Sequence, residues 1–369
     1  MTRGGDFRFF LAVLFSFLKQ KLLALSNTMP GAACFALVLG LALGAAPGAQ
    51  VKHTITITDP DARLAKIDRE YLVSTPYATG GGGGGPRSNN KTYPLLVYLH
   101  GQYGHASGGA AFGQLGASEE FITVAPQGIG DGSFLGLDTT WSVRAEGRTD
   151  VCERLAAQAV MSSCRAVGRV SKCNWATCYD DVHFFAALLA SVVSAYPVDA
   201  SRVFLAGCSN GAMLAEYLQT QLPPGTVAAV VPWYGAFLAH YVDTREQQRA
   251  LRGATLLALH GAKDELIPPA GGVDKKDKYA YVSENVTVAR WAAANGCSPE
   301  PTALRTPYQA RSAGKAMEHT CVEHGGCEVP GVRVAYCSFP RQAHGFWPSF
   351  GEELTWWFLT GSVPATAVA

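Results

Sequence analysis

Six short apolar runs, each ending in turn-forming residues, recur along the chain. They are Leu95–Leu99, Phe121–Ala125, Val203–Ala206, Val227–Val231, Leu256–Leu259 and Val332–Tyr336. Their apolar character is continuous rather than alternating, which is typical of strands buried on both faces. Segments with helical spacing lie between them, namely Val182–Tyr196, Ala212–Leu222 and Val286–Asn295. This alternation predicts an α/β fold with a mostly parallel sheet and helices on both faces.

Composition narrows the class of protein further. The chain has 369 residues, of which 48% are hydrophobic, so global disorder is excluded. Lys and Arg number 30 and Asp and Glu number 29, which gives a formal net charge of +1. A near-neutral balance argues against nucleic acid or an anionic membrane as the main partner, because both require a basic field. One α/β domain or two small ones is expected at this length.

The first fifty residues read as a leader. Phe9–Leu18 and Ala32–Ala46 are apolar but shorter than a comfortable membrane span. The second run leads into a string of small residues, as a secretory signal peptide does before its cleavage site. A retained signal anchor is the alternative, and Met29 is a possible true start. We therefore expect a leader at 1–50, one catalytic domain at 51–360 with an insertion at about 133–179, and a C-terminal tail at 361–369.

Ten cysteines point to an oxidising compartment outside the cell. Four of them fall within Cys152–Cys178 and four within Cys297–Cys337, and such clusters are typical of disulfide frameworks. A zinc site around Cys173 is a weaker alternative, because no histidine lies beside it. Cys208 stands apart and is expected to be a buried free thiol. Two sequons begin at Asn90 and Asn285, and in a secreted eukaryotic protein they are candidates for glycosylation.

Ser209 lies in the only G-x-S-x-G pattern of the chain, Gly207-Cys208-Ser209-Asn210-Gly211. An apolar strand leads into it and a helical run leads out. This context predicts a strand–elbow–helix turn that exposes the serine hydroxyl as a nucleophile. A plain strand-to-helix turn with Ser209 as the helix N-cap is the alternative. Glycines suit both flanks because the turn brings strand and helix too close for side chains.

A nucleophilic serine needs a base and an orienting acid, which follow it in the order acid, then histidine, in this class of fold. Asp264 lies in the loop after the run Leu256–Leu259, and Glu265 is a less favoured substitute. His344 follows the last apolar run and is the predicted base. Four other residues are less suitable, because they are solvated or stand at the wrong place in this order. They are Asp274, Asp277, His319 and His324. His260 is interpreted as a core histidine at a strand end.

Acyl transfer also requires amide donors for the oxyanion that forms. The backbone of Asn210, directly after the nucleophile, is one candidate. The second is expected in the loop after Leu95–Leu99, from Gln102 or, less favoured, Tyr103.

Several segments in this order resemble one family. They are Leu99-His100-Gly101, Ala125-Pro126-Gln127-Gly128, the Ser209 pentapeptide, His260-Gly261-x-x-Asp264-x-x-Ile267-Pro268 and His344-Gly345-x-Trp347-Pro348. Together they are similar to the secreted esterases that include polyhydroxybutyrate depolymerases and feruloyl and acetylxylan esterases. The resemblance implies an α/β-hydrolase fold, export, a triad of Ser209, Asp264 and His344, and no metal or other cofactor.

The same resemblance implies an uncharged ester substrate, such as feruloyl or acetyl groups on polysaccharide or short polyhydroxyalkanoates. Trp347, Trp233, Tyr234 and Trp141 are then candidate substrate-binding residues, although core packing is an equally good interpretation of Trp233. Departures from the family pattern are the cysteine-rich insertion and the bulky Trp233-Tyr234 pair. A serine peptidase of the same fold, or an inert cell-surface binding protein, are the competing hypotheses.

Overall fold

The protein is described by a computed structural model. The described residues are 50–77, 91–130, 139–144, 161–168, 176–273, 279–307, 311–312, 315–345 and 351–361. The expected leader at 1–49 and the tail at 362–369 lie outside them, as does most of the expected insertion.

Ten strands of the described ranges form one sheet. In chain order they are β1 (Val51–Ile57), β2 (Ile67–Ser74), β3 (Tyr93–Leu99), β4 (Ile122–Pro126), β7 (Val198–Cys208), β8 (Ala229–Trp233), β9 (Thr255–Gly261), β12 (Thr302–Leu304), β15 (Thr320–His324) and β16 (Val334–Phe339). Their spatial order is β1-β2-β4-β3-β7-β8-β9-β16-β15-β12. The strands from β4 to β16 in this order are parallel, while the two strands at each end pair antiparallel.

Three two-stranded ribbons accompany the sheet: β5 (Ile129–Gly130) with β6 (Thr139–Thr140), β10 (Gly272–Val273) with β11 (Ala280–Tyr281), and β13 (Arg311–Ser312) with β14 (Lys315–Ala316). The helices are α1 (Ala110–Glu119), α2 (Ser162–Ala166), α3 (Asp181–Ala195), α4 (Asn210–Gln221), α5 (Arg245–Ala250), α6 (Glu284–Ala294) and α7 (Gly351–Thr360).

Two hydrophobic cores lie on opposite faces of the sheet. Leu95 and Val97 of β3 point into the first, which α3, α4 and α6 cover. Leu96 and Tyr98 point into the second, which α1 and α7 cover. Successive strand residues alternate between these faces, so both faces need apolar side chains. The predicted α/β fold, with a mostly parallel sheet and helices on both faces, is confirmed.

This topology decides where functional loops gather. Parallel neighbours end at the same edge of a sheet, so the loops that follow β3, β7, β9 and β16 share one rim. Those four loops carry the predicted oxyanion donors, nucleophile, acid and base.

Three disulfides join the cysteines Cys164–Cys178, Cys297–Cys327 and Cys321–Cys337. They confirm the prediction of a disulfide framework. Cys208 is buried as predicted but is itself disulfide-bonded, so the prediction of a free thiol is wrong. The free thiol was predicted because Cys208 lies far from the other cysteines in the sequence, but distance along the chain does not decide which cysteines meet in space. Cys208 ends β7 at the rim where loops from distant parts of the chain converge.

In the ranges that the structure describes, none of the helices combines the length and the apolar character needed to cross a bilayer.

Candidate active site

Ser209 occupies a strained turn between β7 and α4. Its φ is 53° and its ψ is −123°, a left-handed conformation that a side chain rarely adopts. A Cβ at Gly207 would lie 2.6 Å from the Gly211 oxygen, and a Cβ at Gly211 would lie 2.2 Å from the Leu99 oxygen. The predicted need for glycine on both flanks is therefore confirmed. The tight turn also presses the start of α4 against the end of β3.

The structure brings Ser209, His344 and Asp264 into one hydrogen-bonded line. The Ser209 hydroxyl lies 2.9 Å from His344 Nε2. His344 Nδ1 lies 2.7 Å from Asp264 Oδ2. Because a carboxylate can only accept, Nδ1 carries the proton and Nε2 is left to receive the serine proton. The imidazole is thus oriented as a general base toward the hydroxyl.

Asp264 is buried and fully hydrogen-bonded. Its Oδ1 accepts from the amides of Leu266, at 3.0 Å, and Ile267, at 2.8 Å. Its Oδ2 faces two imidazoles, those of His344 and His260. Burial alone would raise its pKa, but the hydrogen bonds with His260 and His344 outweigh burial and lower the pKa to about 2. Asp264 is therefore a carboxylate at neutral pH.

The rival residues lie elsewhere. Glu265 is exposed, whereas Asp264 is buried. His324 ends β15 opposite Val334, at the start of β16 and hence at the other edge of the sheet from His344. His319 contacts Thr306 and stacks on Phe339. Asp274 and Asp277 lie outside the described residues.

The predicted oxyanion donors are the backbone amides of Asn210 and of Gln102 or Tyr103. Asn210 is the first residue of α4, where a backbone N–H has no partner within the helix. The Tyr103 amide is already committed, since it donates to the Thr139 oxygen at 2.8 Å. This hydrogen bond counts against Tyr103, and Gln102 stays the preferred prediction of the two.

A buried histidine, His100, anchors the loop after β3. From the sequence, His100-Gly101 was interpreted only as a strand end. His100 Nε2 accepts from the Gly128 amide at 2.9 Å, so Nδ1 carries the proton and donates to the Gly101 oxygen at 2.8 Å. Burial lowers the pKa of His100 to about 3 and keeps it neutral. Its place beside the Ala125–Gly128 segment was visible only after folding, because 28 residues separate His100 from Gly128.

The proposed substrate-binding aromatics are placed unequally. Trp141 and Trp233 are 0% exposed and pack in the core, so neither ring presents surface to a ligand in this structure. Tyr234 is 1% exposed and meets the His344 ring edge-on at 5.0 Å between centroids. Trp347 lies outside the described residues. Tyr103, which was considered only for its amide, is 39% exposed in the loop after β3.

Three features identify the fold family. They are the strained serine elbow, the acid after β9 and the histidine after β16, and all three lie at the carboxyl edge of one parallel sheet. The chain has the α/β-hydrolase fold. Ser209, Asp264 and His344 follow one another along the chain in the order serine, acid, histidine that is usual for α/β-hydrolases.

No protein-family model matches this chain. Feruloyl esterase B of Piromyces equi is 26% identical over 169 residues, which are 45% of this chain and 29% of that protein. The match therefore spans less than a third of that relative. Among solved structures, acetyl xylan esterase from Aspergillus awamori is 13% identical with a TM-score of 0.48, covering 84% of this chain and 98% of that one. A thermostable esterase is 15% identical with a TM-score of 0.41, covering 66% and 52%.

Proposed function

We propose that this chain is an exported serine esterase that hydrolyses carboxylic esters through Ser209, His344 and Asp264. The observation that carries the proposal is the continuous hydrogen-bonded line from the Ser209 hydroxyl through His344 to Asp264, at 2.9 and 2.7 Å. A serine hydroxyl becomes a useful nucleophile when a correctly oriented base takes its proton.

In the first half of the reaction, Ser209 Oγ attacks the ester carbonyl carbon while its proton passes to His344 Nε2. The carbonyl oxygen becomes an oxyanion, which the amides of Asn210 and Gln102 stabilise. Asp264 stabilises the imidazolium that forms. When the carbon–oxygen bond to the alcohol breaks, His344 returns its proton to the leaving alkoxide and an acyl-serine remains.

In the second half, His344 takes a proton from water as the water oxygen attacks the acyl-serine. The second oxyanion collapses, the bond to Ser209 Oγ breaks, and His344 gives the proton back to the serine. The products are one carboxylic acid and one alcohol, and no cofactor enters the balance.

Esters of ferulic or acetic acid on polysaccharide, or short polyhydroxyalkanoates, are the proposed substrates. The resemblance to feruloyl esterase B supports the first of these, and the near-zero net charge suits uncharged substrates. We expect neither nucleic acid nor a membrane as a partner beyond the leader.

Export is part of the proposal. Disulfides such as Cys164–Cys178, Cys297–Cys327 and Cys321–Cys337 are typical of an oxidising compartment. Asn285, the second residue of α6, is exposed and accessible to glycosylation, while Asn90 lies outside the described residues. A leader at 1–50 and one catalytic domain at 51–360 are proposed with it.

Release of p-nitrophenol from a short-chain ester, by the unaltered chain and by Ser209→Ala, tests the mechanism. We expect the variant to lose at least about 10³-fold in kcat. Equal rates would overturn the proposal. Labelling of Ser209 by a fluorophosphonate separates an active hydrolase from an inert binding protein. Methyl ferulate, acetylated xylan and hydroxybutyrate oligomers then rank the substrate classes, and labelling with activity on none of them would reject the proposed range.

A further inference from the structure

A second histidine shares the carboxylate oxygen that orients the base. His260 is the sixth residue of β9 and is 1% exposed. Its Nε2 lies 3.1 Å from Asp264 Oδ2 and 2.9 Å from the Ile267 oxygen. Its Nδ1 lies 2.7 Å from Glu284 Oε1, at the first turn of α6. The imidazole is therefore clamped between two carboxylates, one of which is the acid of the proposed triad.

The partners decide the charge of this imidazole. Nε2 faces a carboxylate and a carbonyl, which are both acceptors, so it carries a proton. Nδ1 faces the Glu284 carboxylate at a distance typical of a charge-assisted hydrogen bond. Burial would lower the pKa of His260, but the hydrogen bonds with Asp264 and Glu284 outweigh it and raise the pKa to about 9. His260 is thus an imidazolium at neutral pH.

Three other titratable side chains around the clamp have a raised pKa. Glu216 of α4 is buried, and burial together with the charge of Glu284 raises its pKa well above the ordinary value. Tyr336 of β16 has a pKa raised to about 12 by burial and by Glu284. Tyr234 faces Asp264, and its pKa is raised by burial. The Glu284 carboxyl group, the His260 ring and the Asp264 carboxylate follow one another in that order toward His344.

We propose that His260 is a positioning residue of the active site, which Glu284 holds in place and which grips Asp264 Oδ2 beside His344. This inference rests on the proposed function, because it assigns a role toward the triad. The positive ring fixes the carboxylate rotamer and partly cancels its negative potential at His344. The line of side chains becomes Glu284–His260–Asp264–His344–Ser209.

Replacing His260 by glutamine removes the positive charge and keeps an amide donor near Asp264. Asp264 then exerts its full negative potential on His344, whichever charge Glu284 takes. We expect the acid limb of the kcat/KM profile to move to higher pH by about one unit, since a neighbouring opposite charge is worth 1–3 units at contact. KM at the pH optimum should change little, because the substrate does not touch His260.

His324→Gln is the matched control. His324 is also a buried histidine with a hydrogen bond to a backbone oxygen, that of Ser298 at 2.7 Å, but it lies at the opposite edge of the sheet. We expect its pH profile to superimpose on that of the unaltered chain. A His260→Gln profile that also superimposes, or a displacement of equal size in both variants, would overturn the inference.

A second measurement does not depend on activity or on the glutamine variant folding. Nitrogen-15 NMR of the histidine rings in the Ser209→Ala protein should show both nitrogens of His260 protonated near pH 7. Glu284→Gln on that background should move the titration midpoint of His260 to lower pH. A neutral His260 ring near pH 7 would contradict the inference. If the Ser209→Ala protein keeps full esterase activity, the proposed function fails instead, and the NMR result still decides the state of His260.

Discussion

Asn210 and Trp141 are joined by a reciprocal pair of hydrogen bonds. Asn210 Oδ1 accepts from the Trp141 amide at 2.7 Å, and Asn210 Nδ2 donates to the Trp141 oxygen at 3.1 Å. The Trp141 indole also donates to the His100 oxygen at 2.7 Å. Trp141 therefore ties the first residue of α4 to the end of β3. These are the two segments that carry the proposed oxyanion donors.

Asn210→Ala should leave both backbone groups of Trp141 buried without partners. We expect the free energy of unfolding to fall by about 1–3 kcal/mol, the usual effect of a buried unsatisfied polar group. Urea denaturation followed by tryptophan fluorescence measures it. Asn210→Asp keeps the Oδ1 acceptor but replaces the donor with a second acceptor and buries a charge, so it should also lose stability. An unchanged denaturation midpoint for the alanine variant would show that this pair does not stabilise the elbow.

Asp264→Asn should lower kcat by about 10⁴-fold, because the amide favours the wrong tautomer of the base. KM should change far less than kcat, since the acid does not touch substrate. Steady-state kinetics with a p-nitrophenyl ester give both constants. The adjacent exposed Glu265→Gln is the control and should keep full activity. Similar losses in the two variants would argue against Asp264 as the orienting acid.

The free energy of unfolding should carry a signature of His260. Its pKa is raised from 6.5 to about 9 on folding. The stabilisation is full below about pH 6.5 and declines as pH rises to about 9, because only the folded state holds the proton in that window. Thermal melts across this window, compared with His260→Gln, should show a gap that narrows with rising pH. A gap of constant size would contradict a charged His260.

Tyr103 should affect the choice of acyl group. It is exposed in the loop after β3, and stacking between aromatic rings is worth about 0.5–1.5 kcal/mol. Tyr103→Ala should therefore lower kcat/KM for methyl ferulate by up to about tenfold and leave p-nitrophenyl acetate nearly unaffected. Tyr103→Phe should retain the ferulate activity. Equal losses on both esters in Tyr103→Ala would assign the residue to the loop conformation instead, since its φ of 62° is left-handed.

The parallel centre of the fold is predictable because each strand there is buried on both faces. The run Leu95–Leu99 lies within β3, and Leu256–Leu259 lies within β9. The antiparallel flank is not predictable in the same way. Thr302–Leu304 and Thr320–His324 are partly exposed and carry polar residues, so they leave no continuous apolar run.

In the site, the sequence predicts which residues reach the rim, but it does not predict which side chains contact one another across the chain. Motif order brings Ser209, Asp264 and His344 to one rim because strand direction alone decides it. The role of His260 is missed, although its burial at a strand end is predicted correctly. Its contact with Asp264 requires the loop to turn back on β9, where the Asp264 amide donates to the Gly261 oxygen at 3.1 Å. The four-residue spacing of the two side chains is the signal that could have revealed it. Trp141 is missed as a structural tie, because sequence does not show which partners an indole will find.

The chain leaves the rim after Asp264 and returns to it at His344 only after a long excursion. Within that excursion, Cys297–Cys327 and Cys321–Cys337 each close a loop. Continuous pairing of β9 with β16, from Leu256 opposite Val334 to Gly261 opposite Phe339, sets the distance between acid and base. Cys337 lies in β16, so the second disulfide joins β15 directly to the strand that leads to His344. Changes to the segment between the cysteines would therefore have to keep the pairing of β15 with β16, because that strand carries the spacing of acid and base.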